Sequence, residues 1–251
     1  MSTLLEARGV GKRFGAVVAA EALDIRIGTG ERVSLIGSNG AGKTTFVNMI
    51  TGYLKPDEGQ ILLDGRDITR LAPRAITRLG VARSFQIPQL CGDLTVLDNM
   101  LVANACHDHR LSFWQAAHRP AAIERADLLL DRFRLAEHRE RRVAELPGGV
   151  RKLLDIAMAL TGKPKLLLLD EPTSGVSADE KFPMMQTIMD ALGREAGTTV
   201  MFVEHDMDIV ERHADRVLAF YAGRIIADDV PAVALATDDV RRYVTGELLQ
   251  E

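Results

Sequence analysis

Nine consecutive residues constrain this chain most: Gly37-Ser38-Asn39-Gly40-Ala41-Gly42-Lys43-Thr44-Thr45. Arg32 to Ile36 ahead of them reads as a short buried strand, and Thr45 to Ile50 behind them as a helix. Strand, Gly-rich loop and helix in that order imply an α/β layer structure with the loop at the carboxyl end of a strand. Gly37, Gly40 and Gly42 admit dihedrals that a Cβ forbids, so successive N–H groups can converge on one anion. A helix beginning near Gly42 adds the positive end of its dipole. Gly37, Gly42, Lys43 and Thr44 occupy the fixed positions of a phosphate-cradling pattern. In that pattern the lysine is a point charge for β- and γ-phosphates and the hydroxyl is a ligand for Mg²⁺.

The chain has 251 residues and is 47% hydrophobic, enough for one large α/β core with a smaller appended part. A net charge of −4 gives no electrostatic reason to expect nucleic acid as partner. Cys91 and Cys106 form neither a metal knuckle nor a disulfide framework, which fits a reducing compartment; both read as small buried hydrophobes. No apolar run approaches the roughly 18 residues that span a bilayer; the longest compact run is Leu166 to Leu169. Met1 to Glu6 has neither a basic start nor a long apolar stretch and is not read as a signal peptide. The expected location is the cytoplasm, with any membrane association made through a partner.

Along the chain, residues 4–10 and 22–28 read as strands with Gly15 in the turn region between, and Ile61-Leu62-Leu63 as a strand ended by Asp64-Gly65. From about 87 to 160 the pattern becomes helical, as in the spacing of Ile123, Leu130 and Phe133 and in Leu153 to Leu160. Leu166 to Leu169 and Val200 to Val203 return to buried strand, and near-continuous apolar strands between helices imply a parallel sheet covered on both faces. Arg216–Phe220 and Arg224–Ala227 read as a closing hairpin around Ala222-Gly223. Ser177 and Glu180 have the spacing of a capping box, yet Pro183 would then fall inside the helix. The expected solution is a short turn at 178–182 and a regular helix from Pro183, burying Met185, Ile188, Met189 and Leu192.

Asp170, Glu171 and Pro172 follow the Leu166–Leu169 strand directly. Ligands of open parallel sheets bind at such strand ends. Beside a triphosphate, Asp170 can orient Mg²⁺ and Glu171 can polarise the water that attacks the γ-phosphate. Gln86 after Arg83-Ser84-Phe85, and His205 after Val203-Glu204, stand where two further strands should end on the same side.

These residues resemble the ATP-binding subunits of ABC transporters, in motif order and over nearly the whole chain. Residues 37–45 resemble the Walker A loop, and Leu166–Asp170 the Walker B strand with Glu171 as catalytic glutamate. Gln86 resembles the Q-loop glutamine, which in the family contacts Mg²⁺ and relays to the membrane subunits. His205 resembles the switch histidine that contacts the γ-phosphate. Phe14 falls where the family stacks an aromatic on adenine. Leu146-Pro147-Gly148-Gly149-Val150 stands in place of the signature, which binds the partner subunit's nucleotide and usually reads Leu-Ser-Gly-Gly-Gln. Pro147 removes a hydroxyl and an N–H donor there, while Gly148 and Gly149 keep theirs. Ser177 stands where the family commonly has aspartate.

The resemblance implies an α/β fold: a P-loop NTPase core with a mostly parallel sheet, an N-terminal antiparallel β subdomain and a helical subdomain. Residues 1–251 would form a single ABC domain, with 1–86 and 161–251 as nucleotide-binding core and 87–160 as the helical part carrying the signature. The length of Asp93–Glu145, Leu94 to Asn99, Pro147 and Glu204-His205-Asp206-Met207 look most like the branched-chain amino acid importers. Implied with it are ATP and Mg²⁺ and a second ATP-binding subunit, identical or different. Membrane-spanning permeases and, indirectly, a periplasmic solute-binding protein complete the set. Soluble ABC ATPases of translation or DNA repair resemble paired cassettes or carry long coiled-coil insertions, and neither occurs here. A regulatory module that binds ATP without turnover is the other alternative. A P-loop GTPase is disfavoured because the chain has no Asn-Lys-x-Asp guanine reader.

Overall fold

A computed structural model of the chain describes residues 2–84, 86–107, 119–193 and 197–246. Two sheets organise it. In the first, β1 (Thr3–Phe14) and β2 (Val17–Gly28) form a long antiparallel hairpin, and β4 (Glu58–Leu63) with β5 (Arg66–Asp67) extends it in the order β2-β1-β4-β5. The hairpin is longer than alternation alone predicts because register shifts interrupt β1, as between Ala7 and Val10. Each bulge breaks the in–out alternation that marks a strand in sequence.

The second sheet runs β10-β9-β3-β8-β7-β6. Its members are β3 (Arg32–Gly37), β6 (Val81–Ser84), β7 (Leu166–Asp170), β8 (Thr199–Val203), β9 (Arg216–Tyr221) and β10 (Arg224–Asp229). The pairs β9–β3, β3–β8, β8–β7 and β7–β6 are parallel, and only β10 joins antiparallel. Every residue of β7 and β8 is buried. With a side-chain period of two, Leu166, Leu168, Met201 and Val203 face a core shared with the first sheet and with α1 (Lys43–Ile50). Leu167, Leu169, Val200 and Phe202 face the opposite core. That core is closed by α3 (Val96–His107), α4 (Pro120–Arg132), α5 (Gly148–Leu160), α6 (Ala178–Leu192) and α7 (Met207–His213). A short α2 (Pro73–Arg78) precedes β6, and α8 (Pro231–Ala234) and α9 (Asp238–Val240) follow β10. Burial on both faces explains why these strands read as unbroken apolar runs.

Three expectations need correction. The region from 87 is helical only from Val96, where Thr95 and Asp98 form a reciprocal cap: the Asp98 N–H donates to Thr95 Oγ1 at 3.0 Å and Thr95 Oγ1 to Asp98 Oδ2 at 2.7 Å. α6 begins at Ala178, not at Pro183. Pro183 is exposed within its second turn and supplies no N–H to the Asp179 carbonyl one turn back. Ser177 stands at the N-cap, where its hydroxyl donates to the Glu180 side chain at 2.7 Å and caps no N–H. Cys91 and Cys106 are exposed rather than buried. Phe85, one of the strand-end residues ahead of Gln86, lies outside the described residues. Met185, Ile188, Met189 and Leu192 are buried as expected.

Candidate nucleotide site

Because β3, β8, β7 and β6 are parallel neighbours, the segments that leave their carboxyl ends open along one edge of the sheet. The Gly37–Thr45 loop leaves β3, His205 follows β8, Glu171 follows β7 and Gln86 follows β6. Residues far apart in sequence thus meet on one edge.

The loop requires glycine at two places. A Cβ on Gly37, at φ 149°, would lie 2.4 Å from the Phe220 carbonyl oxygen, and one on Gly42, at φ 112°, would lie 2.5 Å from that of Ala19. From behind, the β9–β10 turn supports the loop: the Gly223 N–H donates to the Ala41 carbonyl at 2.9 Å, and the Glu21 N–H to the Gly223 carbonyl at 2.8 Å. Ala222 and Gly223 both have positive φ, as a tight hairpin turn of right-handed strands demands. Ser38, Asn39, Gly40 and Thr44 are exposed, and Thr45 is half-buried. Among the described residues, no acceptor is bonded to the N–H of Asn39, Gly40 or Gly42. The first N–H groups of α1 have no intrahelical partner either, so the loop has free donors around a concave backbone, the arrangement a phosphate needs.

Lys43 is buried, and its Nζ donates to the carbonyls of Gly37 at 2.5 Å and Ser38 at 3.1 Å. Burial pushes its pKa down, while Glu171 and Asp170 pull it back up. The ammonium is held by two loop carbonyls and feels the charge of the two acids at the end of β7.

Glu171 is the junction of the site. Its Oε2 accepts from Gln86 Nε2 at 2.9 Å, and its Oε1 from His205 Nε2 at 3.1 Å. Its own backbone has φ 48°, an uncommon conformation for a residue with a Cβ, held by its N–H donating to the Val203 carbonyl at 3.1 Å. Gln86, Glu171 and His205, selected from sequence as strand-end residues, are thus joined into one hydrogen-bonded cluster.

Three charged groups of this edge, Lys152 and Glu204 buried and Arg83 half-buried, escaped the sequence reading. Arg83 Nη2 donates to Asp170 Oδ2 at 2.6 Å and Nη1 to Asn48 Oδ1 at 2.7 Å, so one oxygen of Asp170 is held by a cation. Glu204 Oε1 accepts from the Thr173 hydroxyl at 2.7 Å and from its N–H at 3.2 Å, tying the turn after Glu171 to the end of β8. Lys152 of α5 donates from Nζ to the Gln86 carbonyl at 2.9 Å. The signals were a charge within or just after an apolar stretch, as Glu204 follows Thr199–Val203.

Phe14 ends β1 half-exposed, with Lys12 Nζ 5.6 Å from its ring centroid. Pro147 stands at the N-cap of α5 with φ −58° and ψ 155°; Gly148 is exposed and Gly149 half-buried. No hydrogen bond among the described residues joins Pro147, Gly148 or Gly149 to the phosphate loop.

Oxygen donors suit a hard cation beside a triphosphate: the Thr44 hydroxyl, Asp170 and the Gln86 amide oxygen. Among the described residues no cluster of three or more His, Cys, Asp or Glu side chains forms a metal cage.

A glycine loop with a buried lysine, facing an Asp-Glu strand end, defines a P-loop nucleoside triphosphatase. The ABC transporter family model matches residues 20–174, more than half of the chain. The high-affinity branched-chain amino acid transport ATP-binding protein LivG of Escherichia coli (strain K12) is 35% identical over 251 residues, covering 97% of this chain and 98% of that protein. BraF of Pseudomonas aeruginosa, named in the same terms, is 33% identical with the same coverage. Among solved structures, an ATP-binding cassette of an ABC transporter in its ADP conformation superposes with a TM-score of 0.86 at 30% identity, covering 96% of this chain and 98% of that one. The chain belongs to the ABC transporter family, as its ATP-binding and ATP-hydrolysing component. Among the described residues no helix is long and apolar enough to cross a membrane.

Proposed function

We propose that this chain powers an importer of branched-chain amino acids or similar small organic solutes. It would be peripheral to the cytoplasmic face of the membrane and docked on permease subunits supplied by a periplasmic solute-binding protein. The full-length likeness to LivG and BraF supports the solute class. The observation that carries the chemistry is the Gln86–Glu171–His205 cluster on the same sheet edge as the Lys43 loop.

In this reading the N–H groups of residues 37–45 and the Lys43 ammonium bind the β- and γ-phosphates, and Phe14 offers its exposed face to adenine. Thr44, Asp170 and Gln86 would hold Mg²⁺, which neutralises phosphate charge when bound. Glu171 takes a proton from the attacking water, and His205 orients Glu171 and reaches the γ-phosphate. Pro147, Gly148 and Gly149 present the start of α5 to the nucleotide of a second ATP-binding subunit, the same or a different chain. We read 87–160 as the helical part that transmits closure to the permeases, and 1–86 with 161–251 as the nucleotide-binding core.

The test has two arms. Lys43→Ala should abolish tight ATP binding by calorimetry as well as turnover, and near-normal affinity would remove the loop assignment. Proteoliposomes holding this chain, its partner ATPase and the permeases, with binding protein outside, should accumulate leucine only with ATP inside. ATP turnover without stimulation by any branched-chain amino acid would leave the ATPase in place and discard the solute class.

A further inference from the structure

The same face of α5 grips the Gln86 segment at three points, and nothing in phosphate binding requires it to. Lys152, 3% exposed, donates from Nζ to the Gln86 carbonyl at 2.9 Å and to the Asp170 carbonyl at 3.4 Å. Three residues on, Asp155 is 8% exposed. Its Oδ2 accepts from the Ser84 hydroxyl at 2.5 Å and its Oδ1 from the Gln89 N–H at 3.2 Å. Positions i and i+3 lie on one helical face, so a single stripe of α5 holds residues 84, 86 and 89. The Gln86 side chain then leaves this body and crosses to Glu171, which belongs to the end of β7.

Burial of an ammonium is expensive, and an apolar side chain of similar volume at Lys152 would cost the fold less. Burial pushes the Lys152 pKa down, and Asp155, Asp170, Glu171 and Glu204 pull it back up. Its charge therefore sits among the acids of the site, and two of its bonds go to main-chain carbonyls, which fixes where that backbone lies.

We propose that Lys152 and Asp155 are positioning residues that lock the Gln86 segment to α5. Lys152 Nζ also reaches the Asp170 carbonyl, and Ser84 ends β6 beside Leu169 of β7, so the same contacts keep Gln86 aligned with Glu171. The inference rests on the ATPase reading above and adds to it two residues outside the set assigned to nucleotide, metal and water.

The experiment uses the chain assembled with its partner ATPase and permeases. Lys152→Met, Lys152→Arg and Asp155→Asn are measured alone and combined with Gln86→Ala. Misplacing a catalytic neighbour by about 1 Å costs on the order of 100-fold, so Lys152→Met should lower kcat by roughly 10- to 100-fold. Mg-ATP affinity of the purified subunit should stay within about threefold, because the phosphate loop is untouched. Lys152→Arg should recover most of the loss, and Gln86→Ala should add little to Lys152→Met, since both remove one function. Fully multiplicative effects, a parallel fall of affinity and kcat, no recovery with arginine, or a silent Gln86→Ala would each overturn the assignment. Wild-type turnover that Lys43→Ala abolishes establishes the ATPase reading separately, so a failure of either is distinguishable.

Discussion

His205 Nε2 lies 3.1 Å from Glu171 Oε1, while Gln86 Nε2 holds the other carboxylate oxygen at 2.9 Å. Two side chains from two other strand ends therefore fix the orientation of one acid whose backbone is itself in a strained conformation. A carboxylate held this way is pre-aimed, and it can receive a proton without reorganising.

Replacing that acid separates binding from chemistry. Glu171→Gln should keep ATP affinity and lower hydrolysis by roughly two to three orders of magnitude, the usual loss for a positioned catalytic group. With ATP uncleaved, size-exclusion in ATP and Mg²⁺ should show a persistent pair of subunits. Wild-type turnover in this variant would place the base elsewhere.

The Arg83–Asp170 pair makes a stability prediction. The two side chains are 9% and 12% exposed and 2.6 Å apart. Arg83→Met leaves Asp170 buried without its contacting cation and should destabilise by about 3–5 kcal/mol. Urea unfolding checks it; adding Asp170→Asn should restore part of the loss. A cost below about 1 kcal/mol would mean that Asp170 is solvated by other means.

Pro147 predicts an asymmetric pair. This chain's Lys43 loop, Glu171 and His205 are complete, whereas its α5 start lacks the hydroxyl and N–H that a serine would supply. The nucleotide on this chain's own loop should turn over faster than the one facing Pro147. Single-turnover hydrolysis in the complex, with each subunit's loop lysine disabled in turn, reads the two sites separately. Pro147→Ser should speed the slower one. Equal rates, unchanged by the serine, would show that Gly148, Gly149 and the helix end suffice.

His213 predicts acid sensitivity away from the nucleotide. It is buried at the end of α7, with Nε2 unbonded, in a cavity of about 400 Å³ that Arg32, Gln186, Met189, Asp190, Gly193 and Arg212 also line. Burial, then Arg212 and Arg32, lower its pKa below 6.5, and Asp190 opposes them. The folded chain binds its proton less readily than the unfolded one, so stability rises with pH across this window. The contribution is intact above 6.5 and declines as pH falls from there toward the folded value. His213→Leu should reduce the drop in Tm between neutral pH and about pH 5. An unaltered drop would assign the acid sensitivity to other groups.

The sequence by itself determined the parts of this protein whose geometry is local. The strand–loop–helix of 32–50 is legible because each residue's role follows from its neighbours: glycine where a Cβ has no room, lysine at the first turn of α1, a buried strand before it. Glu171 and His205 are legible as strand ends because the apolar runs Leu166–Leu169 and Val200–Val203 stop just ahead of them, whereas Gln86 follows the mixed Arg83-Ser84-Phe85. Tertiary structure alone decided that these ends are adjacent, since the order β3-β8-β7-β6 is not encoded in any one segment. It brought Arg83 to Asp170 across 87 residues and Lys152 to Gln86 across 66. It also put Pro183 on the exposed side of α6 and left both cysteines on the surface. The physical reason is common to these cases. Hydrogen bonding and burial depend on what lies across the fold, and a local pattern carries only a residue's chemistry and its likeness to a strand or a helix.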